Sequence, residues 1–416
     1  MHSSPGDQVE PRMVGAWINL PFWNRIFDVM NKKKLDALIA STPENVSYLC
    51  DIPRVPGVVS ESDVHGVVFR DKGSEPAAIM PTVAVDQWAQ STSPIKDVKI
   101  YGEFYYYKTE PLNYKSLSEA ERKVVDIYFG HPRAREILDA VVNVFRERGI
   151  VKGRVGFDEV NMPTTRIRGI QKKLPRIKFT PAHGVFQEIR MVKSTDEIEK
   201  IRRAVEVTEK GIQAVLDAAK PGVPNSDLVL TYETTVKKHG CKPHFASIGA
   251  GTEGALVNHL PSPYMLKKGD TIRIDCNAVY SNYLSDVGRN AVVEVVSDKA
   301  RKYCEALIDG VNAMEAVTQP GIKLAEVFRE GVSTVRRSGI HHYERQNVGH
   351  SLGLQVVEPP VIMRDSNIEV QEDMVIAIET PYYELGFGSF NPEDTVRITK
   401  HGIEKLSKME NRLYVV

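Results

Sequence analysis

The sequence has 416 residues, more than one hydrophobic core usually organises, so we expect two domains or three. Apolar residues make up 42% and charged residues 26%, which is typical of an ordinary globular protein. Basic and acidic residues number 54 each, so no net field attracts nucleic acid or an anionic membrane. No run approaches the roughly 18 apolar residues of a membrane span. Nucleic acid and membranes are therefore not expected partners.

The first dozen residues and the cysteines bear on where the protein works. The first dozen contain Ser, Pro and Gly but no apolar segment, which predicts a disordered extension rather than a signal peptide. The four cysteines are scattered and form no CxxC pair: they are Cys50, Cys241, Cys276 and Cys304. In a chain of this length, such spacing disfavours a disulfide framework or a zinc finger. We therefore expect a reducing, cytoplasmic compartment.

Helical and strand patterns alternate at the start of the chain. Residues 22–35 have the spacing of a helix, and Asp36–Ala40 predicts a short buried strand. Residues 41–45 include Ser, Thr, Pro and Asn and interrupt the pattern, which Val46–Leu49 then resumes. This order is typical of an α/β unit at the start of an N-terminal domain.

The segment from Tyr101 to Tyr114 contains four consecutive aromatic residues, Phe104–Tyr107, among charges. It predicts a partly buried loop or strand, and the alternative is an aromatic wall of a ligand pocket. Residues 132–149 have Pro near the start, an apolar stripe and a closing Gly, which predicts a helix. Val155–Asp158 then predicts another strand.

A domain boundary is predicted near Glu188–Lys193. Ser194 offers an N-cap and Glu197 an acid in the first turn of a long amphipathic helix that ends near Lys220. After it, short β-rich runs alternate with helices, notably over 299–317 and 324–338. The predicted division is an extension over residues 1–15, a first domain over 16–188 and a second over 189–416.

Three carboxylates in the second half end or begin a predicted strand: Asp275, Glu379 and Glu393. Each alternates with apolar residues, so it points away from the apolar face of its strand. Asp286 and His350 follow turn-like sequences. Any one acid alone is more simply a surface residue at a strand end. Five such groups converging in a buried place would require cations, because uncompensated buried charge is very costly.

This set of ligands is rich in oxygen and contains one imidazole, which suits Mn²⁺, Co²⁺, Fe²⁺ or Zn²⁺. Two ions about 3.5–4 Å apart can share a water, lower its pKa and polarise a carbonyl. The pattern therefore predicts two divalent ions per chain and a hydrolytic reaction.

The motifs around these residues resemble those of the creatinase, aminopeptidase P and prolidase family. Asp275 and Asp286 stand eleven residues apart, and the second lies in YSNYLSDVGRN. His350 lies in NVGHSLGL, while Glu379 and Glu393 lie in IETPYYELGFGSFNPEDTVRITK. The segments EIRMVKSTDEIEKIRRA and MNKKKLDALIASTPENVSYLCD are similar to the start of the family's catalytic domain and to its N-terminal domain. The resemblance implies an α+β protein in which a small creatinase-type α/β domain precedes a pita-bread domain, a curved antiparallel sheet flanked by helices.

Roles for individual residues follow from the resemblance alone. Asp275 would hold one metal ion and His350 with Glu379 the other, while Asp286 and Glu393 would bridge both. The nucleophile would be a metal-bridging hydroxide whose proton Glu379 handles. His259, in GALVNHLPSPYMLKKGD, lies where the family has a histidine that contacts substrate or moves a proton.

Two positions depart from the family pattern. Val357 stands where many peptidase members have a second histidine, and Asn391 stands where prolidase-like members tend to have an arginine. Neither is a metal ligand, so the change concerns substrate recognition. Loss of a donor to an oxyanion commonly costs about 10²–10³-fold in rate. His244 or His259 could compensate, and His244, Val357 and Tyr383 are the predicted substrate contacts.

The leading hypothesis is a dinuclear metallohydrolase of the Xaa-Pro aminopeptidase or dipeptidase type, acting as a homodimer on a small peptide. The alternative is a non-peptidase member of the same fold that hydrolyses a small amidine or cyclic amide, as creatinase or ectoine hydrolase does. A non-catalytic binding scaffold is the third hypothesis, and the complete ligand set argues against it.

Overall fold

A computed structural model describes residues 21–52 and 63–416 of the chain. These described residues form two compact units, one up to residue 189 and the other over 190–416, which we call the N-terminal and C-terminal units. The extension predicted over residues 1–15 lies outside the described residues. Across the described ranges, no helix is both long enough and apolar enough to cross a membrane.

The N-terminal unit combines helices with a mixed sheet. Its described helices are α1 (Pro21–Lys33), α2 (Pro43–Cys50), α3 (Val85–Ala89), α4 (Glu119–Gly130), α5 (Ile137–Glu147), α6 (Thr164–Lys173) and α7 (His183–Arg190). Its described strands are β1 (Ala37–Ala40), β2 (His65–Phe69), β3 (Ala77–Pro81), β4 (Asp97–Tyr101), β5 (Lys152–Phe157) and β6 (Arg176–Pro181). They pair in the order β4-β3-β2-β1-β5-β6.

The central strands of this sheet are buried on both faces, so they form continuous apolar runs. All four residues of β1 are buried, and β1 pairs antiparallel with β2 and parallel with β5. Val141 and Phe145 of α5 belong to the apolar core that covers β1, β2 and β3. This core explains why the run Asp36–Ala40 was recognisable as a strand.

Two predictions for the N-terminal unit need correction. Val46–Leu49 does not resume a strand, because it lies in α2, which begins at Pro43, where a residue without an N–H is tolerated. The helix predicted over 132–149 begins only at Ile137, because Ala134 bridges to Tyr101 beside β4. After β4 the tyrosine-rich segment is irregular, and Tyr106 and Tyr107 line a cavity of about 560 Å³.

The C-terminal unit contains four described helices, a 10-stranded sheet and a separate two-stranded sheet formed by β14 and β15. The helices are α8 (Thr195–Ala218), α9 (Asn225–Lys238), α10 (Asp298–Val317) and α11 (Leu324–Ser338). The strands are β7 (Lys242–Ala250), β8 (Thr271–Tyr280), β9 (Tyr283–Leu284), β10 (Val287–Val292), β11 (Asn347–Ser351), β12 (Glu358–Met363), β13 (Val375–Glu379), β14 (Tyr382–Glu384), β15 (Gly388–Phe390), β16 (Glu393–Thr399), β17 (Gly402–Lys405) and β18 (Leu413–Val415).

The main path of this sheet runs β12-β11-β13-β16-β10-β8-β7, and neighbouring strands along it are antiparallel. Buried residues of α10 and α11 form one core with Ile376, Ile378 and Val396 of the sheet. Ser194 caps α8 and Glu197 returns the bond, so the predicted capping box is present. The helices therefore cover the apolar face of the sheet, and the polar side chains of its central strands point the other way.

Candidate metal centre

Three of the predicted ligands lie in one row across four neighbouring strands. Asp275 of β8 is opposite Gly288 of β10, and Gly288 is opposite Glu393 of β16. Glu393 is in turn opposite Glu379 at the end of β13. Directly opposed residues of antiparallel strands have Cβ atoms about 4.5–5.5 Å apart. The pairing register therefore gathers carboxylates that are up to 118 positions apart in the sequence.

Asp275 is not at the end of its strand, contrary to the sequence-based expectation. Strand β8 continues to Tyr280, because β7 pairs with it from Ile272 to Val279. A partner strand of that length supplies hydrogen bonds to the backbone on both sides of Asp275. The aspartate consequently projects from the middle of the sheet, where a side chain is more enclosed than at an edge.

Asp286 and His350 lie next to this row of ligands. Asp286 precedes β10 by one residue, and His350 lies in β11 opposite Ala377 of β13. His350 Nε2 is 3.6 Å from Asp286 Oδ2, and both side chains are buried. Ligand atoms of Asp286, His350 and Glu393 lie within 4.8 Å of one another. That spacing is compatible with one ion bound by all three residues.

The pKa values of these groups indicate that the cations of the protein do not fully compensate the negative charge of the four carboxylates. Burial, followed by repulsion from neighbouring carboxylates, raises the pKa of Asp286 and of Glu393 well above the ordinary range. The same causes raise the pKa of Glu379 to about 7. Burial also raises the pKa of Asp275, although Arg273 opposes the shift. Burial lowers the pKa of His350, which favours the neutral imidazole that metals bind.

This donor set fits divalent cations. Asp286 and Glu393 are buried and Asp275 and Glu379 are half-buried. Burial of like charges without compensation is strongly unfavourable. A divalent ion beside Asp286, His350 and Glu393 would remove most of that repulsion, and Glu379 is the neighbour of Glu393 in the row. The five residues predicted as ligands therefore lie together in the structure.

Arg273 is a central residue that sequence reasoning did not identify. Its side chain is fully buried and pairs with a candidate ligand, with Nη1 3.1 Å from Asp275 Oδ2. The Nε atom of Arg273 donates to Ser389 Oγ at 3.2 Å. Its Nη2 atom donates to Ser247 Oγ at 2.8 Å and to the backbone oxygens of Val257 at 3.0 Å and Leu256 at 3.2 Å. This arginine thus fixes Asp275 to the loop that leads to His259.

The signal that could have revealed Arg273 is the alternation along β8. Arg273, Asp275 and Asn277 are successive residues of one strand face, between the buried Ile272, Ile274 and Cys276. Asn277 donates to Asp286 Oδ1 at 2.5 Å, so it orients a second candidate ligand. Three polar residues on one face of a central strand indicate a functional surface rather than a solvent-facing one.

Gly288 and Asn391 shape the floor of the site. A Cβ atom at position 288 would lie 2.9 Å from Cβ of Glu393 and would overlap the carbonyl oxygen of Asn391, so only glycine fits between the acids. Asn391 is buried and its Nδ2 lies 3.3 Å from Glu393 Oε2. Hydrogen bonds from Asn391 also help to lower the pKa of Asp275 and of Glu379, against the effect of burial.

The predicted catalytic and substrate-binding residues are placed less uniformly. His259 is buried, its Nε2 is 3.4 Å from Glu253 Oε2, and its Nδ1 has no hydrogen-bond partner among the described residues. Tyr383 stacks against Arg273 with 5.2 Å between guanidinium and ring centre, so it lies at the site. His244 is exposed, and Val357 is 56% exposed on the bend before β12.

This arrangement, with four acids and one histidine gathered on an antiparallel sheet, is typical of a metallohydrolase. Residues 199–400 match metallopeptidase family M24, and residues 23–192 match the creatinase/prolidase N-terminal domain. The chain therefore belongs to metallopeptidase family M24, as a prolidase-like member.

Individual relatives agree with this assignment. The chain is 29% identical over 257 residues to an Xaa-Pro dipeptidase of Pyrococcus horikoshii, covering 61% of this chain and 73% of that protein. The structure of a prolidase from Pyrococcus furiosus superposes with a TM-score of 0.72 at 22% identity, covering 92% of this chain and all of that one. An Xaa-Pro dipeptidase structure from Bacillus anthracis gives a TM-score of 0.77 at 18% identity, covering 94% and 98%.

These similarities confirm the predicted fold, a creatinase-type N-terminal domain followed by a pita-bread domain. They also confirm that the chain is a metallohydrolase, and membership of the family implies divalent metal ions. They do not favour the amidine or cyclic-amide hypothesis, since the relatives named above are dipeptidases and prolidases.

Proposed function

We propose that this protein is a metal-dependent Xaa-Pro peptidase of the prolidase type. The observation that supports this most directly is the row of carboxylates across β8, β10, β16 and β13, with Asp286 and His350 beside it. The names of its relatives, Xaa-Pro dipeptidase and prolidase, supply the substrate class. An amide bond that precedes proline is the expected target.

The proposed centre holds two divalent ions, with Mn, Co, Fe or Zn as candidates. Asp275 is the proposed ligand of one ion, His350 and Glu379 are those of the other, and Asp286 and Glu393 are shared. Bound ions would supply a water of lowered pKa and would polarise the scissile carbonyl. A homodimer and a cytoplasmic location remain predictions.

Three side chains of this protein have proposed roles in moving a proton, in binding the substrate and in positioning a metal ligand. Glu379 ends β13 beside Glu393, where its carboxylate can take a proton from the attacking water and return it to the leaving nitrogen. His259 keeps Nδ1 without a partner among the described residues while Glu253 holds Nε2, so it can bind a polar substrate atom. Arg273 keeps Asp275 and the 256–257 backbone in place.

The test begins with protein stripped of metal by a chelator and then titrated with Mn²⁺ or Co²⁺. We expect close to two ions per chain by elemental analysis, and turnover of Xaa-Pro dipeptides only in the loaded protein. Xaa-Ala dipeptides serve as the substrate control. Absence of any metal-dependent cleavage of Xaa-Pro dipeptides or longer Xaa-Pro peptides would refute the proposal.

Glu379→Gln separates chemistry from metal binding. The amide keeps an oxygen ligand but loses basicity, so activity should fall by about 10²–10⁴-fold, the usual contribution of a general base, while most metal is retained. Glu372→Gln, at an exposed carboxylate of the same unit, is the matched control and should leave both unchanged. Equal loss of metal and activity in Glu379→Gln would mean that this residue is only a ligand.

A further inference from the structure

The proposed metal ligands come from two groups of strands. Asp275 lies on β8 and Asp286 lies directly before β10. The other three, His350, Glu379 and Glu393, lie on β11, β13 and β16. β8 and β10 pair over six residues of each strand, and β13 and β16 pair over five. A continuous ladder of backbone hydrogen bonds therefore fixes the spacing of the ligands within each group.

The boundary between these two groups, which we call the seam, is the contact of β10 with β16. A single residue pair, Gly288 opposite Glu393, joins these two described strands. Beyond it, β10 pairs with β18 from Asn290 onward, and β16 pairs with β17 from Val396 onward. One residue pair resists separation of two strands less than a continuous ladder does. The spacing of the ligands across the seam consequently depends on other contacts.

Two side chains cross the seam in opposite directions. Arg289 of β10 donates from Nη1 to the backbone oxygens of Glu393 at 2.6 Å and Gly288 at 2.7 Å. Thr395 of β16 donates from Oγ1 to the backbone oxygen of Asp286 at 2.5 Å. The backbone of each proposed shared ligand is thus held by a side chain from the strand that carries the other.

The two side chains act on opposite faces of the sheet. Arg289 is fully buried on the face that the helices cover, where its Nη2 lies 2.7 Å from Asp394 Oδ1 and 3.9 Å from Glu209 Oε1 of α8. Thr395 is also buried, and it follows Glu393 by two residues, so it shares the face of that ligand. A strand that is held on both faces is restrained against tilting as well as sliding.

We propose that Arg289 and Thr395 are positioning residues that set the spacing between Asp286 and Glu393, so that both carboxylates can be shared by two ions. The proposal rests on the metal centre proposed above and deepens it. Two carboxylates repel one another when no cation lies between them, and this repulsion acts to separate the strands. The two bonds across the seam oppose that separation and keep the ligands in place for the ions.

Metal affinity distinguishes this role from a purely structural one. Replacement of a residue that orients a metal ligand typically lowers metal affinity about 10- to 100-fold. A hydroxyl that served the fold alone would, once removed, lower the Tm of the metal-free and of the metal-loaded protein equally and leave the affinity unchanged. A positioning hydroxyl would also reduce the increase in Tm that metal produces.

The first experiment titrates chelator-stripped protein with Mn²⁺ or Co²⁺ in a calorimeter. Thr395→Val preserves the shape of the side chain but removes the donor, so metal affinity should fall about 10- to 100-fold. Thr395→Ser keeps a hydroxyl and should bind metal like wild type. Thr318→Val is the matched control, because Thr318 is buried at the end of α10 and donates to the Met314 carbonyl at 2.7 Å. Its metal affinity should equal that of wild type.

Arg289→Lys tests the other side of the seam. A lysine keeps the positive charge, but its single nitrogen cannot replace the fork of donors that contacts Glu393, Gly288 and Asp394 together. Metal affinity should again fall about 10- to 100-fold. The Thr395 variants keep the proposal testable if Arg289→Lys does not fold.

The second experiment measures amide hydrogen exchange by mass spectrometry in metal-free protein. Thr395→Val should speed exchange in peptides over 286–290 and 391–395 by up to about 10-fold, the factor that corresponds to one lost hydrogen bond. Thr318→Val should leave these peptides unchanged. Exchange at the seam that is equal in wild type and Thr395→Val would overturn the proposal.

The outcomes separate this proposal from the metal centre on which it rests. Two ions bound by wild type and equally tightly by Thr395→Val would overturn the positioning role and leave the centre intact. Failure of wild type to bind any ion would refute the proposed centre and the positioning role with it. Weak binding by Thr395→Val that Thr395→Ser restores is the expected result.

Discussion

Asp158 of the N-terminal unit and Asp286 of the C-terminal unit are both buried aspartates, yet their surroundings differ. Asp158 Oδ2 accepts hydrogen bonds from the Thr42 amide at 2.8 Å, from the Thr42 hydroxyl at 2.5 Å and from Asn45 Nδ2 at 2.7 Å. Asp158 Oδ1 lies 2.8 Å from His183 Nδ1. Burial would raise the pKa of Asp158, but these hydrogen bonds outweigh it and the pKa is lowered.

Asp286 has far fewer donors for its charge. Asn277 donates to it at 2.5 Å, while Asp275 and Glu379 add to the effect of burial and raise its pKa well above the ordinary range. A buried carboxylate surrounded by donors is a structural element of the fold. A buried carboxylate surrounded by other carboxylates is stable as an anion only with a cation, which is why it marks a metal site.

The largest expected effect comes from Asp286→Asn. The amide cannot provide two anionic oxygens to shared ions, so metal content should fall sharply. We expect kcat/KM to drop by more than about 10²-fold, because replacing a residue that only hydrogen-bonds to a metal ligand already costs up to that factor. Elemental analysis and dipeptide turnover check this outcome. Full retention of metal in Asp286→Asn would contradict the proposal that Asp286, unlike Asp158, binds metal.

Asp158→Asn should have the opposite profile. Its amide group would face several donors, so the free energy of unfolding should fall by about 2–3 kcal/mol through loss of hydrogen bonds to a charged group. Metal content and kcat/KM at a temperature where the protein is folded should be unchanged. Denaturant titration together with metal analysis measures both quantities, and a loss of metal would contradict the structural role of Asp158.

The smallest effect is the pH dependence of metal-free protein. Glu379 has a pKa of about 7 in the folded chain and an ordinary value of 4.5. Between pH 4.5 and pH 7 the folded state binds more protons at Glu379 than the unfolded state does. The stability that protonation of Glu379 contributes is therefore fully present below pH 4.5 and is lost as the pH rises through 7. Bound metal replaces the proton. The increase in Tm on adding metal should therefore grow from pH 5.5 to pH 7.5 in calorimetric scans, and a constant increase would contradict this assignment.

Local periodicity was sufficient to predict many elements of the fold. The helix over 324–338 coincides with α11, and the capping box at Ser194 begins α8 as predicted. These features depend on residues three or four positions apart, which the sequence displays directly. The helix predicted from 132 starts later because a bridge between Ala134 and Tyr101, distant in sequence, occupies its first turn.

The sequence by itself determined the motifs and hence the five proposed ligands, since each motif is a short pattern around one residue. Only the tertiary structure decided which other side chains surround them. Arg273 and Arg345 look alike in the sequence. Arg273 donates to oxygen atoms of β7, β15 and the 256–257 loop, whereas the buried Nε of Arg345 has no hydrogen-bond partner among the described residues. Strand pairing brings such distant segments together, and whether a donor is used depends on what that pairing places within hydrogen-bond distance.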